Sequence, residues 1–179
     1  MPIVMHKIRN QEMYPVKLGI GEAKDRINTL IKNGHHAEAL LTSVFTFEKT
    51  IHRTLKQLII SSGFTNKDAD KLLKRLQGFK SQKEIWSCFD PNGKTLPVII
   101  GNKHWQYIEP AVTMRNRMVH GSHAYNLNKC KEMAKNILNL TDDTIVAFNN
   151  EYNYDGWSTI KIRRKSTLHS DPKVNIKNA

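Results

Sequence analysis

Apolar residues recur along most of the chain at spacings of three, four and seven, the period of helices with one buried side. Ala23, Ile27, Leu30 and Ile31 predict a first helix from about Glu22, stopped by Asn33-Gly34. The longest helix follows, over about 35–61, with the stripe Ala37, Leu41, Val44, Glu48, Ile51, Leu55 and Leu58. Thr65 and Asp68 cap a third, which carries Ala69, Leu72, Leu73 and Leu76 and ends at Gly78, and the lysines on its outer side read as a solvated face. Ser81 with Glu84 makes a capping-box pattern for a short helix through Trp86. Asp90-Pro91-Asn92-Gly93 forces a turn, and the apolar run Leu96 to Ile100 is too short for either period to decide.

A further helix, over about 103–120, repeats Trp105, Ile108, Val112 and Val119. Pro110 falls in its first turns or marks a fresh start, and Gly121 caps its end. Ala111, Met114 and Met118 draw a second apolar line on this helix, so it is buried on two sides, by another helix or by another protomer. The last long helix, over about 126–149, carries Leu127, Cys130, Ala134, Ile137, Ile145 and Phe148, with a break at Thr141-Asp142-Asp143. Beyond it, Trp157 to Lys165 alternates as a strand does. The expected fold is therefore all-α: an up-and-down bundle of five to six helices at 21–150, with an N-terminal arm at 1–20 and a basic C-terminal extension at 151–179.

Two charges interrupt the apolar stripes, Glu48 in the second helix and Arg115 in the 103–120 helix. A guanidinium stays charged at pH 7, and taking it out of water costs several kcal/mol unless acceptors meet it, so Arg115 requires a carboxylate or an anionic ligand. His52 stands one turn beyond Glu48, and the plain reading is that these two satisfy one another at the margin of the core.

Composition adds a direction. The formal net charge is +12, from 28 Lys plus Arg against 16 Asp plus Glu, which favours RNA or another polyanion through counterion release. Cys88 and Cys130 form no CxxC pair and read as small core residues. The first residues lack the apolar run of a signal peptide, and no stretch reaches a membrane span, so a cytoplasmic setting without membrane contact is expected. No cofactor is implied, and His120-x-x-His123 lacks a third metal ligand at a telling distance.

Arg115, His120 five positions on, and Glu48 from another helix form the constellation with most chemistry in it. Five residues turn about 140° round a helix, so convergence of Arg115 and His120 depends on the turn at Gly121 or on a two-fold partner. On a phosphodiester, His120 is suited to moving the 2′-hydroxyl and 5′-oxygen protons while Arg115 stabilises charge on phosphorus, Asn116 holds an oxygen and Glu48 orients the pair. Arg115-Asn116-Arg117-Met118-Val119-His120-Gly121 resembles the R-x4-6-H motif of the HEPN superfamily, and the helix Phe45 to His52, with its internal acid, resembles an earlier helix of that family. The resemblance covers about residues 35–150. It implies a helical bundle that dimerises with its R-x4-6-H motifs facing a shared cleft, and metal-independent endoribonuclease activity, as a toxin restrained by an antitoxin protein or as an effector of defence against phage. By position it assigns Arg115 and His120 as the catalytic pair, Asn116 as the supporting polar residue and Glu48 as the acidic helper. Arg117, His52, Arg53 and the basic run Lys161, Arg163, Arg164 and Lys165 are the expected RNA contacts. Two alternatives stand beside this reading. One is a non-catalytic nucleotide- or RNA-binding module acting with a partner protein, and the other is an internal Arg115–Glu48 ion pair that fixes helix register.

Overall fold

A computed structural model describes residues 19–76, 78–121 and 126–158. The described residues form seven helices and no strand: α1 Ile20–Lys32, α2 His36–Ser61, α3 Asn66–Arg75, α4 Gly78–Phe89, α5 Leu96–Ile100, α6 Asn102–Val119 and α7 Leu127–Tyr152. The all-α expectation holds, and the helix count rises because the short apolar run at 96–100 closes one turn of its own, with Pro97 in the first turn and Leu96 and Ile100 buried. Gly19 already belongs to α1, its amide donating to Glu22 Oε2 at 2.9 Å.

Among the described residues, the two 26-residue helices α2 and α7 make the most extensive contact, with the remaining helices packed around them. Leu40, Val44, Phe47, Ile51, Leu55, Leu58 and Ile59 of α2 are wholly buried, as are Cys130, Ala134 and Phe148 of α7. Between the apolar residues sit small hydroxyl side chains that need no outside partner. Ser43, Thr50 and Thr54 donate to the Ala39, Thr46 and Thr50 carbonyls one turn back, and Thr141 to that of Ile137. The helix runs on through Thr141 where a break was expected, because the buried Thr141 hydroxyl is satisfied inside the helix and Asp142, salt-bridged to Lys24, stays at the surface. Trp86 stacks on Phe148 at 5.3 Å between ring centres and closes the core from the α4 side.

Two further expectations need correction. The helix expected at Ser81 starts at Gly78, whose φ is +82, so Ser81 lies inside the helix rather than at its N-cap, and the preceding helix stops at Arg75, short of the Gly78 expected. The buried side of α2 runs through Leu40, Phe47 and Ile51 rather than through Leu41 and Glu48, which moves Glu48 to the margin of the core.

The folded body extends past residue 150. Tyr152 and Tyr154 are buried, and Asp155 folds the backbone back by accepting from the amides of Trp157 and Ser158 at 2.7 and 2.6 Å. Gly156, at φ +83, lies so close to α2 that an added Cβ would stand 2.9 Å from Thr54 Oγ1. Only glycine fits there. The strand-like alternation from Thr159 onward, the basic run Lys161, Arg163, Arg164 and Lys165, and the arm over 1–18 lie outside the described residues.

Candidate functional site

Helices α2 and α6 meet with Glu48 facing Arg115. Arg115 Nη2 donates to Glu48 Oε1, and the two side chains keep 27% and 22% of their surface exposed. The buried side of α6 is carried by Ile108 and Ala111, and the line ends at the rim, where Arg115 is half-buried and Val119 is 63% exposed. Arg115 is thus a rim residue answered by a carboxylate, which meets the physical demand that the sequence raises. Glu48 does not turn to His52. The imidazole Nδ1 lies 3.3 Å from Gln82 Nε2 on α4, and burial pushes its pKa below the usual histidine value, helped by Lys56 and opposed by Asp70.

His120 is the residue on which α6 stops. Its φ of −87° and ψ of 2° stay near helical values, its amide reaches the Asn116 carbonyl at 3.1 Å, and the left-handed turn comes one residue later at Gly121, φ +64. The helical twist therefore carries through to His120, and its Cα lies about 140° round the helix from that of Arg115. Among the described residues no hydrogen bond joins the two side chains, so the turn at Gly121 does not bring them together within one subunit. Asn116 and His120 are both exposed.

The side of α6 that His120 shares with Thr113 and Arg117 forms one wall of a groove. Its volume is about 480 Å³, and its lining includes Trp105, Pro110, Thr113, Met114 and Arg117 of α6 with Lys129 and Met133 of α7. At one end Trp105 stacks on Phe79 at 5.7 Å, and its indole donates to Glu109 Oε1 at 2.9 Å, which Lys83 also meets at 3.1 Å. Those two hydrogen bonds hold the Glu109 carboxyl below the usual carboxylate range. The second apolar line of α6 is a partial sign of this groove in the sequence, but nothing there marks Lys129, because only the packing of α7 brings it into the same lining as Arg117.

Arg53 is placed elsewhere. Its Nη2 donates to the Trp157 carbonyl at 3.1 Å and its guanidinium lies 5.2 Å from the Trp157 ring centre, while Lys49 lies 5.1 Å from the same ring. The indole Nε1 donates to Thr50 Oγ1 at 2.9 Å. Arg53 and Lys49 thus clasp the segment that leads into the C-terminal extension.

Among the described residues, no three His, Cys, Asp or Glu side chains gather as a metal-ligand set, and no helix is long and apolar enough to cross a membrane. Comparisons of the chain with family models, with curated proteins and with solved structures gave no match.

Proposed function

We propose that the protein is an endoribonuclease of the HEPN type that needs no metal ion, working as a homodimer in the cytoplasm, as a toxin with its antitoxin or as an antiviral effector. The observation that carries the reading is the Arg115–Glu48 pair: a permanently charged guanidinium, fixed by one carboxylate and still partly open to solvent, on the helix that ends in an exposed histidine. A guanidinium has five donors, so a single carboxylate oxygen leaves donors for a phosphate. Val119 and Phe45, 63% and 62% exposed on α6 and α2, offer apolar surface near the pair for a second copy, whose His120 would then approach Arg115 across the two-fold axis.

In the reaction, His120 takes the proton of a ribose 2′-hydroxyl and the 2′-oxygen attacks the adjacent phosphorus. The 5′-oxygen leaves as it takes a proton from water, His120 returns its proton to the solvent, and the products are a 2′,3′-cyclic phosphate and a 5′-hydroxyl end. Arg115 offsets the charge that builds on the phosphoryl oxygens, and Asn116 donates to one of them. Incubation with single-stranded RNA in EDTA should yield those ends. His120→Ala and Arg115→Ala should each slow cleavage by about 10²–10⁴-fold with an unchanged circular dichroism spectrum. Cleavage surviving in the purified double variant rejects the mechanism.

A second reading draws on the same pair. Arg115 is already neutralised by Glu48 and makes no hydrogen bond to His120, as expected of an RNA- or nucleotide-binding module in which the ion pair sets the α2–α6 register. RNA binding without new ends, at every pH tried, selects this reading over the first.

A further inference from the structure

The α6–α7 groove faces away from the Arg115–Glu48 pair, and neither reading above uses it. Two cations stand on its walls, Arg117 from α6 and Lys129 from α7, and its one acid, Glu109, is already bonded to Lys83 and to the Trp105 indole. The lining thus carries more cationic than anionic groups, in a molecule whose net charge is +12. Met114, Met133 and Pro110 supply apolar lining, and the Thr113 hydroxyl a polar one. Pro110 adds a backbone acceptor, because it has no N–H to give the Gln106 carbonyl its regular helical partner, and Gln106 also lines the groove. A volume of about 480 Å³ falls within the roughly 300–1,000 Å³ of small-ligand clefts and suits a base with its sugar and phosphate.

Helical phase ties the groove to the histidine. Thr113 and His120 are seven residues apart, which places them about 20° from one another on α6, with Arg117 between them along the axis. We infer that this groove seats single-stranded RNA: Arg117 and Lys129 hold a phosphate, a base lies against the two methionines, and the strand runs on toward His120. The inference deepens the proposed function by naming where the substrate strand lies, and it rests on that reading only for cleavage, since binding is read separately.

The test measures anisotropy of a short fluorescent 2′-O-methyl oligouridine, which an enzyme using the 2′-hydroxyl cannot cut. Arg117→Gln with Lys129→Gln should weaken binding at least tenfold and flatten the dependence of log Kd on log salt by about 0.7, the share of one neutralised single-strand phosphate. Thr113→Tyr, which fills the groove without changing charge, should weaken binding and leave that slope unchanged. Lys32→Ala with Lys135→Ala, an equal charge loss at exposed sites away from the groove, should change Kd less than twofold. Thermal melts verify that each variant is folded. Equal losses in the two double variants, or wild-type affinity in the groove variants, overturns the inference. With an unmodified oligonucleotide the two ideas separate: groove-dependent binding without cleavage sinks the ribonuclease reading alone, and cleavage with groove-independent binding sinks this one alone.

Discussion

Asp90 and Glu48 are both carboxylates held at helix contacts, and their surroundings differ in completeness. Asp90 is 6% exposed and both its oxygens are engaged: Oδ2 accepts the Tyr152 hydroxyl at 2.6 Å, and Oδ1 accepts the Asn92 and Lys94 amides at 2.9 and 2.8 Å. The Tyr152 oxygen in turn accepts the Trp86 indole at 3.1 Å, and burial together with Asp90 pushes the phenol well above its usual pKa. Glu48 has one partner among the described residues, Arg115, and both remain partly open to water. A buried network of this kind has little capacity left for a ligand and serves the fold, whereas an open pair can exchange part of its bonding with an arriving anion.

The contrast can be broken at either end. The largest effect is expected for Asp90→Ala, which strands the Tyr152 hydroxyl and two loop amides: a loss of about 3 kcal/mol by urea unfolding. A loss under about 1 kcal/mol would mean that water replaces the carboxylate and the network is not closed. A smaller effect is expected at the open pair. Arg115→Leu and Glu48→Leu should each cost about 1–2 kcal/mol, and the double variant should recover about 1 kcal/mol of their sum. Strict additivity would show that the two side chains do not act on each other in solution.

The smallest effect is a pH dependence at His52. Its folded pKa lies below the ordinary value of 6.5, so the unfolded chain takes up the proton first as the solution is acidified. The stabilisation is complete above about pH 6.5 and fades as pH falls below it. Thermal melts of wild type and His52→Gln, a neutral replacement beside Gln82, Lys56 and Asp70, should diverge from pH 7 to pH 5.5, the wild type losing more. Parallel curves would place His52 in water.

Local chemistry was legible in the sequence wherever a few neighbouring residues decide the outcome. Thr65 accepts from the Asp68 amide at 3.1 Å as its cap pattern implies, and Gly121 turns the chain after His120. Phase along a helix was legible only to within about one residue, because α2 offers two apolar lines side by side, and only packing in the folded body, Phe47 against Phe79 of α4 among its contacts, selects the one through Phe47 and Ile51. The same ambiguity put Glu48 and Arg115 deeper than they lie. That Arg115 and Glu48 could answer each other was one of the readings the sequence offered; choosing it took the packing of residues 67 apart in the chain. Arg53 was unreadable for the same reason, since its partner Trp157 is 104 positions away.

The pairing of α2 with α7 has a consequence for synthesis. About 90 residues separate the end of α2 from the end of α7, so at roughly 5–20 residues per second a ribosome delivers the first helix some 5–18 seconds before its principal partner is complete. Through that interval the apolar side of α2, which includes Ile51, Leu55 and Leu58, lacks its most extensive covering surface, and the nascent chain is open to aggregation or to a chaperone.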